Sequence, residues 1–373
     1  MAVWLGAALL MLGMMPRVAG VSTSASSAIL MDAESGRVLY EQKAHDVRLI
    51  ASITKLMTAL VAAESIEESR LDQPVTIEAQ WLAGAEGSSI YLKPGEQISL
   101  RALLYGMMLE SGNDAALAVA WICAGSEQAF VDRMNERAEE LGMEHSSFAN
   151  PNGLNAENHH STAYDMAVLA RACLEHPLVA QICATRTAVF GERIFTNHNK
   201  LLTLYDGCIG MKTGYTRKAG RTLVSAAERA GQTLICVTLN DGDDWRDHMA
   251  LLDYGFEHYP LKTISQEGEL FTSVPLHGSL LPFVDVAVGE RFRYPLERGE
   301  SIRVEMETSG FAVAPVMAGQ EAGQLRYYLG NQLIGQGRLV YTRSIRRDVV
   351  AASSGLLQRI LSAIFGTEVT VFG

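Results

Sequence analysis

The chain has 373 residues, 48% of them apolar and 20% charged, with a mean hydropathy of +0.08 and a formal net charge of −11. This length predicts more than one compact domain, and the composition excludes a disordered chain. The acidic surplus argues against nucleic acid as a partner, and a single strongly apolar run argues against a polytopic membrane protein.

That run comes first. Ala2 to Met15 carries no charge and has the length of a secretory signal core, too short to span a bilayer comfortably. Val18-Ala19-Gly20 then supplies the small residues a signal peptidase needs. A signal peptide over 1–20 and an exported, extracytoplasmic protein are therefore predicted, although no Lys or Arg precedes the run; a buried N-terminal helix is the other reading.

From Ser27 the pattern is mixed. Ala28–Asp32 and Gly36–Tyr40 read as strands around Glu34-Ser35-Gly36. Leu56–Ala63, Leu100–Ala124 and Gln128–Leu141 carry apolar residues at helical spacing. Leu223–Ala227 and Thr233–Leu239 return to strand character with Ala230-Gly231 between them. Beyond Pro260 the period becomes two: Val284–Val288, Ile302–Met306 and Leu325–Leu329 read as strands, and Gly330-Asn331 as a hairpin turn into Gln332–Ile334. The predicted organisation is a mixed catalytic domain over 21–261, a small all-β domain over 262–345 and a tail over 346–373. In that tail Leu356, Leu357, Ile360, Leu361, Ile364 and Phe365 fall on one helical side, with Gln358, Arg359 and Ser362 opposite. A helix over 353–366 fits a membrane surface rather than a span, and Arg343, Arg346 and Arg347 before it suit anionic headgroups. A helix docked on the β domain is the alternative.

Cysteines 123, 173, 183, 208 and 236 show neither CxxC nor zinc-like Cys/His spacing. They read as small buried apolar residues rather than disulfides. No metal site and no cofactor are predicted.

The chemistry begins at Ser52-Ile53-Thr54-Lys55, just ahead of the helical run. Three residues nearly complete a helical turn, bringing the Lys55 amine beside the Ser52 hydroxyl. A serine needs a base, and a lysine of depressed pKa can serve. Of the seven lysines only Lys55 has a serine three places before it. The bland alternative is an N-cap serine with a solvated lysine. Ser111-Gly112-Asn113 interrupts two helical stretches and puts a hydroxyl and an amide on a loop, where a simple helix break is the competing reading. Lys212-Thr213-Gly214 lies in a glycine-containing extended stretch that could hold a substrate carboxylate while a peptide pairs along the strand; a charged edge strand is the alternative.

In this order the three triplets resemble the active-site motifs of the penicillin-recognising serine enzymes. Met31–Tyr40, Ala51–Thr58, Glu86–Gly95, Ser111–Ala116, Asn150–Leu154, His160–Met166 and Gly210–Thr216 are similar to one branch, the D-alanyl-D-alanine carboxypeptidases or low-molecular-mass penicillin-binding proteins. The resemblance covers roughly residues 28 to 260, with departures at Ile50, where proline is common, and Asn152, where some relatives have histidine. It implies an α+β fold, an antiparallel sheet flanked by helices, followed by the small all-β domain and an amphipathic C-terminal helix. Ser52 would attack the bond between the last two D-alanines of a peptidoglycan stem peptide, with Lys55 taking its proton. The amides of Ser52 and Tyr215 would form the oxyanion hole. Ser111 would relay a proton to the leaving amine, Asn113 would orient the acyl chain, and Lys212, Thr213 and Gly214 would bind the carboxylate end, with Arg246 nearby. Peptidoglycan would be the substrate partner, and β-lactams would inhibit by stalling as acyl-enzymes. A class A β-lactamase is a competing reading, but Pro151 stands where its deacylating glutamate would, and the second triplet is Ser-Gly-Asn instead of Ser-Asp-Asn. A sensor that is acylated once without turnover is the non-enzymatic alternative.

Overall fold

The computed structural model describes residues 21–348; the predicted signal at 1–20 and the predicted amphipathic segment at 353–366 lie outside the described residues. These residues divide into two compact units, one of 21–31 and 38–255, the other of 32–37 and 256–348. The sequence pattern changes near Pro260, whereas the division between units falls after Gly255, within the last helix of the first unit.

In the first unit the strands are β1 (Ser27–Asp32), β2 (Val38–Gln42), β3 (Pro74–Thr76), β4 (Gln97–Ser99), β5 (Thr187–Phe190), β6 (Arg193–Thr196), β7 (Cys208–Thr216), β8 (Gly220–Arg229) and β9 (Gln232–Leu239). Five of them form the main sheet in the order β2-β1-β9-β8-β7, so β7 is an edge strand. The β1–β2, β7–β8 and β8–β9 pairs are antiparallel. All six residues of β1 are buried, and so is the run Leu223–Ala227 of β8, because helices cover both faces of the sheet. Ala230 and Gly231 both take positive φ (49° and 75°), the backbone a two-residue hairpin requires to follow the strand twist.

The helices are α1 (Lys55–Ser65), α2 (Leu100–Leu109), α3 (Asn113–Ala124), α4 (Glu127–Glu140), α5 (Ala163–Glu175), α6 (Pro177–Ala184), α7 (Leu201–Leu204) and α8 (Asp244–His258). Residues 55–63 of α1 are buried on every side, so this helix runs through the core instead of lying on it. Side-chain caps set the starts of its neighbours: Ser99 accepts from the Ala102 amide, Ser126 from Ala129 and Thr162 from Asp165. On one face of the sheet α8 packs at Gly255, where a Cβ would meet Leu234 and Leu30. Its His248 also joins Ser225 of β8 and Thr238 of β9.

The second unit contains β10 (Leu261–Ser265), β11 (Leu270–His277), β12 (Phe283–Val288), β13 (Phe292–Pro295), β14 (Ile302–Glu307), β15 (Ala312–Val313), β16 (Glu321–Leu329) and β17 (Gln332–Tyr341). Six strands form a sheet in the order β14-β16-β17-β12-β11-β15, and β10 pairs with β13. Its core alternates along the strands as the sequence period of two requires: Val274, Leu276, Val284, Val286, Leu325, Tyr327 and Leu339 point inward. The architecture is α+β with a C-terminal all-β unit.

Candidate active site

The three triplets meet in one cleft of about 430 Å³, lined by Ser52, Ser88, Ser111, His198, Thr213, Gly214, Tyr215, Arg221, Asp244 and Trp245. Ser52 lies in a 3-10 turn, Ala51–Thr54, that leads directly into α1. The turn is locked from three sides. Thr54 Oγ1 donates to the Ala51 carbonyl (2.8 Å) and contacts His159 Nε2 (2.7 Å). The Ala149 amide donates to His159 Nδ1 (3.1 Å), so Nε2 carries the hydrogen and Thr54 accepts it. Burial lowers the His159 pKa to about 4, which keeps the ring neutral in this role. Thr222 Oγ1 on β8 donates to the Ile50 carbonyl (2.9 Å).

Lys55, fully buried, is held at three points. Its Nζ lies 3.1 Å from Ser52 Oγ, 2.7 Å from Asn113 Oδ1 and 2.6 Å from the Asn152 carbonyl. Burial pushes its pKa well below the ordinary lysine value, and the charge of Lys212 pushes the same way against a smaller opposite effect of Asp114. A neutral amine has two N–H groups and one lone pair. The two short bonds to carbonyl oxygens use both N–H groups, which leaves the lone pair for the Ser52 hydroxyl. In its neutral form an amine so held can accept the Ser52 proton.

Asn113 and Asp114 open α3 and fasten the segment 86–92 over it. Asn113 N–H donates to the Ser88 carbonyl (2.8 Å), and Asn113 Nδ2 to the Glu86 carbonyl. The buried Asp114 carboxylate accepts from Ser89 Oγ (2.7 Å) and from the amides of Ile90 (3.0 Å), Leu92 (3.0 Å) and Ala115 (2.9 Å). Replacing Asp114 by Ala leaves those donors unpaired in the interior. We expect Asp114→Ala to lower stability by about 2–4 kcal/mol, measured by urea unfolding, and to lower kcat by loosening Ser88 and Asn113.

Lys212, on β7, is buried, and burial lowers its pKa to about 8. It pairs in register with Val224 of β8, and its Nζ donates to the Thr213 carbonyl (3.0 Å). Gly214 has a specific reason to be glycine: a Cβ there would come within 2.9 Å of the Ser52 amide nitrogen and 3.1 Å of that of Ile53. The edge strand and the start of the helix thus approach at backbone distance. Tyr215 follows, exposed at the cleft.

Each triplet also contains or follows a non-glycine residue at positive φ: Ala51 (51°), Ser111 (60°) and Met211 (90°). Such backbone costs about 1–3 kcal/mol per residue and persists only where surrounding bonds enforce it. Its recurrence at all three segments is a property of the site that the sequence pattern does not display.

Arg246 is not brought into this cleft. Its side chain is 78% exposed and pairs with Asp243 at 3.3 Å. Successive helical residues turn by 100°, so Asp244 and Trp245 face the cleft while Arg246 faces solvent. The guanidinium lining the cleft is that of Arg221, held by both Asp244 oxygens (2.6 and 3.0 Å) and lying over the Trp245 ring at 5.8 Å. Sequence reasoning also missed Ser88, His198 (3.3 Å from Glu110) and the carbonyl of Asn152. A backbone carbonyl leaves no residue-type signature. The five cysteines are free thiols, Cys173, Cys183 and Cys236 being buried.

The family model described as D-alanyl-D-alanine carboxypeptidase matches residues 15–243, and that described as penicillin-binding protein 5, C-terminal domain, matches 259–347. D-alanyl-D-alanine carboxypeptidase DacF of Bacillus subtilis is 30% identical over 321 residues, 83% of this chain and 82% of that protein. DacC of Escherichia coli is 32% identical over 339 residues, 87% and 85% of the two chains. Among solved structures, PBP3 from Streptococcus pneumoniae superposes with a TM-score of 0.76 at 28% identity, covering 87% of this chain and all of that one. Penicillin-binding protein 5 from Haemophilus influenzae gives 0.74 at 25% identity, with 88% and 100% covered.

Proposed function

Because the chain belongs to the D-alanyl-D-alanine carboxypeptidase family, and is thereby a serine-type hydrolase that releases the terminal D-alanine of peptidoglycan stem peptides, we propose that Ser52 is its nucleophile and Lys55 its base. β-Lactams inhibit this family in general. The observation that carries the assignment is the Lys55 amine, buried, satisfied by two carbonyls and 3.1 Å from Ser52 Oγ.

The geometry supports the following steps. Lys55 takes the hydroxyl proton as Ser52 Oγ bonds to the carbonyl carbon between the two D-alanines. The negative charge that develops on the carbonyl oxygen is met by the amides of Ser52 and Tyr215. The C–N bond breaks, and Ser111 relays the proton held by Lys55 to the departing amine. Water then attacks the ester, Lys55 takes its proton, and the same proton passes from Lys55 to Ser52 Oγ as the ester C–O bond breaks and the carboxylic acid leaves. Asn113 holds Lys55 and the acyl chain, while Lys212, Thr213 and Gly214 line the carboxylate end. Arg246 reaches that end only by leaving Asp243, an exposed pairing that is weak.

The two lysines set opposite limbs of the pH profile. Activity rises with pH as Lys55 loses its proton, at a pKa burial holds below the ordinary lysine value. It falls again as Lys212 loses the charge that attracts the substrate carboxylate, at about 8. We expect kcat/KM for a D-Ala-D-Ala peptide to decline above about pH 8. Lys212→Arg should move that alkaline limb upward, because a guanidinium stays protonated. A wild-type profile flat across this range contradicts the role given to Lys212.

Turnover tests the functional reading. Incubation with diacetyl-Lys-D-Ala-D-Ala should release many equivalents of D-alanine per enzyme, whereas one equivalent would identify a sensor that is acylated once. For location, the apolar run at 2–15 supports export, and the amphipathic pattern at 353–366 supports attachment to the outer face of the cytoplasmic membrane. The catalytic and β domains at 21–261 and 262–345 would then both lie outside the cytoplasm.

A further inference from the structure

The β unit exposes an apolar surface beside the point where the described chain ends. Phe283 opposes Pro275 across the β11–β12 hairpin, and Val313 lies beside His277. These positions alternate with the buried Val274, Leu276, Val284 and Ala312, so they share the outer face of the sheet. Phe311, two residues before Val313, packs edge-on against His277 at 5.3 Å and belongs to the same face. The hairpin tip adds Leu280 and Leu281. Leu280 is 74% exposed, Val313 56% and Phe283 51%. Single exposed apolar residues are ordinary; five clustered at one end of a sheet are not.

The chain returns to this tip at its last described residue. The Asp348 amide donates to the Gly278 carbonyl (3.0 Å), and its carboxylate accepts from the Leu280 amide (2.6 Å) and Ser279 Oγ (3.1 Å). The last described residue, Asp348, thus lies at the patch. Arg346 and Arg347 directly precede it, and the Arg347 side chain lies along Gly278. The tip combines exposed leucine and phenylalanine with arginines, while the carboxylate of Asp348 is occupied by the turn. Asp285, next on the same face after Phe283, is bonded by Ser273 and marks the patch's inner limit.

We propose that this tip is a membrane contact in its own right. Leu280, Leu281, Phe283, Phe311 and Val313 enter the boundary layer of a bilayer, and Arg346 and Arg347 meet anionic headgroups. The inference deepens the attachment reading given above, on which it rests for the presence of a bilayer. The exposed Arg346 and Arg347 beside this apolar tip favour an anionic lipid surface as the occupant. Burying a leucine and a phenylalanine in an apolar layer is worth several kcal/mol at full depth, so partial entry is enough to matter.

The test is co-sedimentation of the full chain with vesicles of phosphatidylglycerol and phosphatidylethanolamine. Wild type should sediment, and less so when phosphatidylcholine replaces the phosphatidylglycerol. Leu280→Asp combined with Phe283→Asp should lower the bound-to-free ratio at least about tenfold while release of D-alanine from a soluble peptide is unchanged. Leu280→Ser with Phe283→Ser should act in the same direction, separating lost apolar contact from added charge. Ile360→Asp with Leu361→Asp tests the tail separately. Loss in that variant with no loss at the tip overturns this proposal and leaves the attachment reading standing; a tip variant that binds more tightly indicates that the tail covers the patch and overturns it too. A wild-type chain left in the supernatant refutes both.

Discussion

Ser52→Ala should lose D-alanine release and labelling by fluorescent penicillin together, each by on the order of 10³-fold or more. The loss should come without a loss of fold. Ser52 Oγ touches only Lys55 among the hydrogen bonds described, and the turn that carries it is held by Thr54, His159 and Thr222. Stability should therefore change by only about 1 kcal/mol, as for removal of one hydrogen bond. Residual activity would come from the cleft and the oxyanion donors alone, which position substrate but cannot form the ester.

Lys55 gives the second large effect, and two substitutions divide its possible roles. Lys55→Ala should remove the base and reduce acylation by about 10²–10⁴-fold. It also leaves Asn113 Oδ1 and the Asn152 carbonyl without their donor, so some loss of stability should accompany it. Lys55→Arg keeps a positive charge and donors for both carbonyls. A guanidinium cannot give up its proton, so this variant should be as inactive as the alanine one. If Lys55→Arg acylates at near wild-type rate, the residue supplies charge and not proton transfer. Burst kinetics with a chromogenic β-lactam measure the acylation step directly.

Much of the fold is legible in the sequence because its patterns are local. The period of two beyond Pro260 reappears as the alternating core of the β unit, and Gly330-Asn331 as the turn joining β16 to β17. The helical run after Lys55 becomes α1, and the Ser111-Gly112-Asn113 break separates α2 from α3. The site is legible to the extent that it consists of side chains at fixed spacing: Ser52, Lys55, Ser111, Thr213, Gly214 and Tyr215 are near neighbours, with Asn113 and Lys212 buried around them.

What escapes the sequence depends on long-range closure. The third partner of Lys55 is a main-chain oxygen at Asn152, 97 residues away. Arg221 enters the cleft through an ion pair with Asp244, and nothing near Arg221 in sequence announces that partner. Arg246 stands one position from Trp245, yet the helical turn directs it to solvent. The positive φ at Ala51, Ser111 and Met211 would not be anticipated from residue type, since none is glycine and none is Asn or Asp. The loop at 150–155 also bears on reaction type. Pro151 offers only its carbonyl, bonded by Thr58 Oγ1 at 2.6 Å, and Asp244, the one acid among the described residues lining the cleft, is paired with Arg221. Among the described residues lining the cleft no carboxylate stands free as a class A β-lactamase requires, which supports the proposal that the Lys55 amine serves deacylation as well.

The most direct measurement of the central claim is peptide mapping of the acyl-enzyme. The full chain, incubated with benzylpenicillin and digested after denaturation, should carry one penicilloyl group per molecule, on the peptide containing Ser52. Prior incubation with a D-Ala-D-Ala peptide in excess should slow its appearance. An adduct on Ser111, or wild-type D-alanine release from a chain whose Ser52 remains blocked, would contradict the assignment of Ser52 as the nucleophile.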